Sequence, residues 1–209
     1  DTNATFLAQD MAAAGIDLVG VTQVGDDLDR IVEIIRRATE DAELVVITGG
    51  VGPTEDDLTR EAIAKFTGEE VYVDPEQLEI VKQFFAVRGT GMPTRNQKQA
   101  WLIPSSEALP NPVGTAPGWF VRHQGNIIVS MPGVPREMTR MWREQVMPRL
   151  ADRLGTDAIV STTVKTIGIG ESAAEDMVSD IIHRGNPVVA TYAKNDGVHI
   201  RVTASNPSR

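Results

Sequence analysis

The chain has 209 residues, a formal net charge of −9 and no cysteine. The lack of cysteine excludes structural disulfides and thiolate metal sites, and it fits a reducing cytoplasm, where we expect the protein to act. The acidic balance argues against broad nucleic-acid binding, which requires clustered lysine and arginine. No apolar run approaches the ~20 residues that span a bilayer. We therefore expect neither a nucleic acid nor a membrane as partner.

The first elements alternate between helix and strand. Apolar spacing predicts a helix over residues 1–16, and we expect a strand to precede it in the complete protein, because α/β domains normally feed their first helix from a strand. "IDLVGVTQV" (16–24) predicts a strand, and residues 26–42 predict an amphipathic helix. "ELVVIT" (43–48) is a nearly continuous apolar run, which is typical of a strand buried on both faces of a parallel sheet.

The alternation continues to about residue 150. The predicted elements are a helix over 54–68 that ends at Gly68, a helix over 74–89 with Pro75 in its first turn, a short helix and strand over 92–104, an ordered loop over 108–118, a hairpin over 119–133 that turns at His123 to Gly125, and a helix from Val134 or Pro135. This order predicts a three-layer α/β/α sandwich with a mainly parallel sheet.

The chain is predicted to contain a second, smaller domain. We place the boundary after residue 155, which gives a first domain over 1–155 and a second over 156–209. The second domain reads as a β-α-β-β unit. In its last strand Val198, Ile200 and Val202 alternate with polar residues, as in a sheet with one solvated face.

The stretch "VVITGGVGPTEDDLTRE" (45–61) carries the first candidate site. Gly49, Gly50 and Gly52 follow a strand and precede a helix, so a phosphate could approach their backbone closely. The motif is not a Walker A loop, because no Lys-Ser/Thr follows Gly52, and it lacks the G-x-G-x-x-G of a dinucleotide fingerprint.

Three carboxylates, Glu55, Asp56 and Asp57, stand where a phosphate would dock. One interpretation is structural, because Thr54 and Asp57 have capping-box spacing and acidic residues in a first turn favour the helix dipole. The other is a divalent cation that bridges Asp57 to the phosphate. Mg²⁺ is typically held by one or two carboxylates plus substrate phosphates.

Three later segments carry further candidates. In "NQKQA", either the polar residues form a solvated helix face, or the Lys98 ammonium reaches a phosphate and Asn96 or Gln99 orients it. In "LPNPVGTAPG", prolines limit the conformations of a loop that contains Asn111 and Thr115, which makes a ligand wall more plausible than a plain connector.

"SMPGVPREM" is a second strand–glycine–helix unit, with Gly133 in its turn and Glu137 in the first helical turn. Ligands in open α/β sheets lie at the carboxyl ends of strands, so this unit and the glycine loop could face one pocket. His123, His183 and His199 are dispersed and lack metal-spaced partners, so we interpret them as structural or surface residues.

The motifs "TGGVGPTEDDLT", "NQKQA", "LPNPVGTAPG" and "MPGVPREM", in this order, resemble the N-terminal domain of the CinA competence/damage-inducible family. That domain belongs to the molybdopterin-binding superfamily of MogA and MoaB. The resemblance covers nearly the whole chain, and the β-α-β-β unit resembles the small subdomain of the same region. It implies a three-layer α/β sandwich and, because homo-oligomers are common in the superfamily, a homodimer.

The resemblance also implies an activity, which is hydrolysis of the pyrophosphate of ADP-ribose or a related nucleotide with Mg²⁺, Mn²⁺ or Co²⁺. The implied site residues are Gly49, Gly50, Gly52 and Thr54 for phosphate, Asp56 and Asp57 for the metal, with Asp57 favoured, Lys98 to offset phosphate charge, and Asn111, Gly114, Thr115 and Gly133 around the nucleotide. Together with the residue-level interpretation, this assigns catalytic roles to Asp57 and Lys98 and a binding role to Asn96.

Two alternatives stay open. The chain could be a molybdopterin- or nucleotide-binding module without turnover, although MogA-type proteins usually have G-G-T-G where Val51 stands here, which disfavours the pterin. It could also be an interaction scaffold with no small ligand. A ligand at ~100 times its dissociation constant should stabilise a binding protein by ~2.7 kcal/mol, and a scaffold should show no such shift.

Overall fold

The computed structural model describes residues 1–154 and 159–205 of the chain. The chain divides into two compact units, one formed by Asp1–Ala4 with Val19–Ala151 and the other by Thr5–Leu18 with the described part of Asp152–Arg209. The domain boundary predicted at residue 155 lies outside the described residues. Within the described ranges, no helix is long and apolar enough to cross a membrane.

Helices and strands alternate along most of the chain. The helices are α1 (Thr2–Ala13), α2 (Leu28–Asp41), α3 (Thr59–Thr67), α4 (Pro75–Ala86), α5 (Pro135–Met141), α6 (Met147–Leu154) and α7 (Glu171–Ile182), with a 3₁₀ helix at Thr94–Ala100 and a π-helical turn at Trp142–Val146. The strands are β1 (Leu44–Thr48), β2 (Tyr72–Val73), β3 (Trp101–Leu102), β4 (Ser106–Leu109), β5 (Gly118–His123), β6 (Asn126–Met131), β7 (Ile159–Thr166), β8 (Val188–Lys194) and β9 (Gly197–Ser205).

The larger unit is built on a four-stranded sheet in the order β1-β6-β5-β4. β1 pairs with β6 in parallel, and Thr48 at the end of β1 lies opposite Met131 at the end of β6. β6 with β5, and β5 with β4, are antiparallel. The α/β fold class is confirmed, and the sheet is mixed rather than mainly parallel. Only two residues, Gln124 and Gly125, connect β5 to β6, and a connection that short forces an antiparallel hairpin.

Two helices cover one face of this sheet. Ile31 and Ile35 of α2 and Ile63 of α3 form a buried cluster with Trp119 of β5 and Ile128 of β6. The helical spacing of the isoleucines places them on the side of each helix that meets the sheet. Full burial of one such side chain stabilises the fold by about 1.5–3 kcal/mol.

The opposite face of the sheet is covered by α5. Met141 lies so close to β5 that a Cβ at Gly118 would come within 2.6 Å of its sulfur. Phe120 and Val129, which alternate with the residues of the first face, are also fully buried, as is Trp142 directly after α5. Helices therefore lie on both faces, as the three-layer class requires.

Two local predictions for this unit are wrong. All of residues 16–24 are described, and the structure has no strand there; Val19 and Val21 are 66% and 58% exposed. β-Branched residues favour a strand only where a neighbouring strand is available to pair and pack. The helix predicted from residue 54 begins instead at Thr59, and it ends as predicted at Gly68, which has φ 72°.

The smaller unit contains a three-stranded antiparallel sheet in the order β7-β9-β8. Ala174 of α7 packs against Val189, Val198 and Ile200, so the apolar residues of β9 face the helix as predicted. The β-α-β-β order is confirmed. His199 alternates with these residues and lies 2.9 Å from a carboxylate oxygen of Asp196, measured from Nε2.

Candidate functional site

The glycine loop (residues 49–57) leaves the end of β1 through two residues in the left-handed region. Gly49 has φ 96° and Gly50 has φ 65°. The Gly49 amide donates to the carbonyl of Met131 at 2.9 Å, and the Thr59 hydroxyl donates to the Gly49 carbonyl at 2.8 Å. A Cβ at Gly50 would lie 2.4 Å from the Thr59 oxygen. The loop therefore requires glycine at both positions and is tied to β6 and α3 through its backbone.

The Asp57 side chain folds back onto the loop that precedes it. One carboxylate oxygen accepts the Thr54 amide at 2.9 Å and the Thr54 hydroxyl at 2.6 Å. A Cβ at Gly52 would come within 2.5 Å of the same oxygen, so the carboxylate occupies the space that a side chain would need. The Thr54–Asp57 spacing therefore closes a loop that ends two residues before α3 begins at Thr59, and it does not cap that helix.

The charge of Asp57 is stabilised within this loop. Partial burial alone would raise the pKa of Asp57, but hydrogen bonds from Thr54 and from the Gly52 amide, with Lys98 nearby, outweigh that effect and hold the pKa below its ordinary value. Asp57 is therefore a carboxylate at neutral pH. Glu55 and Asp56 lie beside it and are exposed.

Lys98, on the 3₁₀ helix, lies at the glycine loop. Its ammonium donates to the carbonyl of Thr54 at 3.2 Å and to the carbonyl of Asp57, and it forms an ion pair with Glu61 at 2.6 Å. The side chain is only 11% exposed. In the structure Lys98 therefore fastens the loop through protein oxygens, and any role toward phosphate would add to these contacts.

The remaining polar residues of "NQKQA" connect this helix to the proline loop (residues 110–117). The Asn96 amide donates to the Gln99 side chain at 3.0 Å, and Gln99 donates to the Thr115 hydroxyl at 3.0 Å. Asn96 and Gln99 are 7% and 2% exposed, so neither lies on a solvated helix face. Asn96 therefore contacts the proline loop only indirectly, because it holds the Gln99 side chain that bonds to Thr115.

The proline loop is in turn held by α5. Asn111 donates from its side-chain amide to the Ala116 carbonyl at 3.0 Å and to a carboxylate oxygen of Glu137 at 2.8 Å. A Cβ at Gly114 would lie 2.3 Å from that oxygen, so only glycine leaves room for Glu137. Asn111 and Gly114, predicted around the nucleotide, are positioned by a carboxylate from another segment.

Gly133 brings the second strand–helix turn against the glycine loop. A Cβ at Gly133 would lie 3.3 Å from the Cα of Gly49, so the two backbones are nearly in contact. The Asn3 side chain donates to the Gly133 carbonyl at 2.9 Å. The two loops that follow β1 and β6 therefore adjoin one another, as their parallel strands require.

A cavity of about 410 Å³ lies between α4 and the proline loop. Asn111, Gly114 and Thr115 line one side, and α4 contributes residues that include Gln77 and Phe84. The guanidinium of Arg88 stacks on the Phe84 ring, 3.4 Å from its centre. The size and mostly apolar lining suit a small organic ligand. The lining includes no residue of the glycine loop.

Several residues that shape these loops are not predicted by the sequence patterns. They are Asn3, Thr59, Arg60, Glu61 and Glu137 in its contact with Asn111. A signal existed for Thr59 and Arg60, which precede the core residue Ile63 by four and three positions and so share its helical face. The partners of Glu61 and Glu137 lie far away in sequence, where spacing carries no information.

No group of three or more His, Cys, Asp or Glu side chains in the described ranges could hold a metal ion by itself. Asp57 is directed at Thr54, whereas Asp56 is exposed. The two carboxylates suit a divalent cation that takes its remaining ligands from phosphate oxygens and water. The metal site at Asp56 and Asp57 stays a prediction.

Residues 1–152 match the family model described as "Probable molybdopterin binding domain", and residues 161–209 match the "Damage-inducible protein CinA KH domain". A solved structure, "the protein CinA with unknown function" from Thermoplasma acidophilum, has 34% sequence identity and a TM-score of 0.66, and the match covers 71% of this chain and 87% of that one. The fold and the two matched models define a molybdopterin-binding-type α/β domain followed by a small second domain.

Within that class, the chain belongs to the CinA family. It is 62% identical over 207 residues to a CinA-like protein of Thermomicrobium roseum, and this match covers 99% of the chain and 51% of the relative. A CinA-like protein of Deinococcus radiodurans is 52% identical over 209 residues, with 98% and 51% covered. The chain thus spans about half the length of the curated relatives that it matches.

Proposed function

We propose that the chain binds ADP-ribose or a related nucleotide and hydrolyses its pyrophosphate with the help of Mg²⁺, Mn²⁺ or Co²⁺. The observation that carries the proposal is the charge arrangement at the glycine loop. Asp57 is held in place as a carboxylate, Asp56 is exposed beside it, and the Lys98 ammonium is already paired with Glu61. A pyrophosphate on this loop meets negative charge, so a divalent cation between the two is the arrangement that electrostatics favours.

Each group of residues has a part in this proposal. Gly49 and Gly50 carry no side chains, so phosphate oxygens reach the backbone. Asp57 and Asp56 hold the cation, and Lys98 keeps the loop closed while its charge offsets part of that of the phosphates. The bound cation supplies positive charge and activates water. Water adds to one phosphorus atom as the bridging oxygen leaves with the other, which yields AMP and ribose 5-phosphate.

The cavity beside α4 supports a nucleotide rather than inorganic pyrophosphate as the ligand. It adjoins the proline loop, and Asn111 and Thr115 supply polar groups in an otherwise mostly apolar wall. A nucleoside has this combination of a flat apolar face and polar edges. Its phosphates would extend past the proline loop toward the glycine loop. One 3₁₀ helix contacts both loops, because Lys98 donates to the Thr54 carbonyl and Gln99 donates to the Thr115 hydroxyl.

A second candidate function is a nucleotide- or pterin-binding module without turnover. The same cavity favours it, because its lining contains no carboxylate. The family description also refers to molybdopterin binding. Under this function the acids of the glycine loop only shape the backbone.

Incubation of the protein with ADP-ribose and Mg²⁺, Mn²⁺ or Co²⁺, with AMP measured by chromatography, tests the proposal. We expect metal-dependent release of AMP. Tight binding by calorimetry without AMP under any metal would favour the binding module. If neither ADP-ribose, AMP, NAD nor a pterin raises the melting temperature, the scaffold is favoured over both.

A further inference from the structure

Arg60, the second residue of α3, is a fully buried arginine that contacts two loops at once. One terminal nitrogen of its guanidinium donates to the carbonyl of Val51 in the glycine loop, and the other donates to the carbonyl of Pro117 in the proline loop at 2.8 Å. The group lies 5.8 Å from the centre of the Trp119 ring. Its Nε atom is buried and has no hydrogen-bond partner among the residues that the structure describes.

The charge of Arg60 is poorly compensated for a group so deeply buried. Removal from water lowers the pKa of Arg60 to about 10, and the carboxylates of Glu61 and Asp57 oppose this effect only in part. The guanidinium stays charged at neutral pH, and both of its hydrogen bonds go to neutral carbonyls. An apolar side chain of similar volume is often as stable as a buried charge, or more so. Burial of the charge is therefore a weak reason for an arginine here, and what distinguishes the side chain is its pair of hydrogen bonds to two separate loops.

The two carbonyls that Arg60 binds belong to the two parts of the proposed ligand site. Val51 lies between the glycines of the loop proposed for pyrophosphate, and Pro117 lines the cavity proposed for the nucleoside. A guanidinium is planar and presents its donors in a fixed fork, so it sets a distance more strictly than a flexible ammonium does. Arg60 is thus a rigid link between the glycine loop and the proline loop.

We infer that Arg60 is a positioning residue, which fixes the spacing between the glycine loop and the α4 cavity so that one nucleotide contacts both together. The ligand part of this inference rests on the proposed function, whereas the coupling of the two loops does not. A ligand that spans both parts gains affinity from this preorganisation, and a ligand that reaches only one part gains little.

The ligand experiment compares Arg60→Met, which removes the charge and both hydrogen bonds, with Arg60→Lys, which keeps the charge. Calorimetry with Mg²⁺ uses three probes, which are an ADP-ribose analogue with a methylene group in place of the bridging oxygen, inorganic pyrophosphate and adenosine. We expect Arg60→Met to weaken binding of the ADP-ribose analogue about tenfold or more and binding of each smaller probe less than about threefold, with partial rescue in Arg60→Lys. The melting temperature should fall by several degrees, because two buried hydrogen bonds are lost. Equal losses for all three probes, or a lower melting temperature with unchanged affinity, would overturn the inference.

Hydrogen exchange without ligand tests the coupling separately. We expect faster exchange in Arg60→Met for peptides that cover both residues 49–57 and residues 110–117. Arg122→Met, which removes an exposed arginine paired with Glu107 on the same sheet, is the control and should change neither. If Arg60→Met does not fold, Arg60→Lys carries the test, and unchanged exchange in both loops refutes the link. Coupled loops in a protein that binds no ADP-ribose would refute the proposed function and leave the link standing.

Discussion

Two loops of this protein follow neighbouring parallel strands, yet they are built differently. The glycine loop leaves β1 at Thr48, and its helix begins only at Thr59. The turn after β6 is short, and α5 begins at Pro135, where the fixed φ of proline suits a first helical residue. Because the strand ends lie opposite one another, both loops open at the same edge of the sheet.

Asp57 at the end of the glycine loop and Glu137 in the first turn of α5 are acids that bind different partners. Asp57 bonds to Thr54 inside its own loop, whereas Glu137 bonds to Asn111 in the proline loop. Two acids that follow neighbouring parallel strands can therefore have different hydrogen-bond partners and different structural roles. Asp57 shapes the glycine loop, where the proposed function would use it to hold a cation, and Glu137 holds the proline loop, which the proposed function makes a wall of the nucleotide pocket.

Neutralising Asp57 or Glu137 separately should give the largest difference between the two loops in the kinetics of ADP-ribose hydrolysis. Asp57→Asn should lower metal-dependent AMP release by roughly 100-fold or more, because a cation contributes several kcal/mol to charge stabilisation. Glu137→Gln should instead raise KM about tenfold and leave kcat within about threefold, because it disturbs a pocket wall. Steady-state kinetics with ADP-ribose measures both.

Melting temperature is the companion measurement for these two variants. Loss of the Asp57 hydrogen bonds should cost about 0.5–2 kcal/mol, which a domain of typical stability tolerates. An Asp57→Asn protein that hydrolyses ADP-ribose with normal metal dependence would show that Asp57 only shapes the loop. Asp56→Asn is the control for melting temperature alone, because Asp56 accepts none of the Thr54 hydrogen bonds.

Substitution of Gly52 or Gly114 tests the same difference between the loops without removing the charge of Asp57 or Glu137. A methyl group at Gly52 would displace the carboxylate of Asp57, and one at Gly114 would displace that of Glu137. We expect Gly52→Ala to lower kcat about tenfold and Gly114→Ala to lower ligand affinity by a similar factor, because small misplacements in a site are costly. Equal effects of the two variants on kcat would contradict the assignment of catalysis to the glycine loop and of ligand binding to the proline loop.

The stability contribution of Glu137 is a smaller effect. Glu137→Ala leaves the Asn111 amide with one acceptor, the Ala116 carbonyl. Loss of this charge-assisted hydrogen bond should cost about 1.5–3 kcal/mol at most, and at about 2–4 °C per kcal/mol for a chain of this size the melting temperature should fall by a few degrees. Asn111→Ala in the same background should then add little, and full additivity would indicate that the two side chains do not interact.

The pH dependence of stability should show the smallest effect. The pKa of Asp57 is lowered in the folded state, so its carboxylate contributes stability that is present above its unfolded pKa of about 4 and is lost as pH falls through the folded pKa. Chemical denaturation from neutral pH to pH 2–3 should show a shallower loss in Asp57→Asn than in the unmodified protein. Parallel curves for the two proteins would contradict a lowered pKa.

Much of the fold follows from patterns within short windows. The helix over Leu28–Asp41 and the hairpin at Gln124 and Gly125 come from helical spacing and from turn residues, which act locally. The strand predicted over residues 16–24 does not form, because that pattern needs a partner that the local sequence does not specify. The start of α3 was placed too early, because a Thr–Asp pair three residues apart serves a closed loop as well as a helix cap.

In the candidate site, too, the features set by local sequence were predictable and the contacts between distant residues were not. The glycines and prolines marked the loops, because their backbone requirements are encoded residue by residue. The contacts that join those loops were not predictable, since Lys98 meets Glu61 and Asn111 meets Glu137 across long stretches of chain. Arg60 was missed for a different reason, because a buried arginine bound to two carbonyls contradicts the ordinary expectation that arginine is exposed.

The near-contact between Gly133 and Gly49 bears on how this site could be re-engineered. A Cβ at Gly133 would press on the Gly49 Cα, and Gly49 has φ 96°, which residues with a Cβ rarely adopt, so substitution of either glycine would strain the loop. The α4 side of the cavity has no such restriction, because Gln77 and Phe84 line it with side chains carried on a regular helix. A library that seeks new nucleoside preferences should therefore diversify α4 and leave the glycine pair untouched.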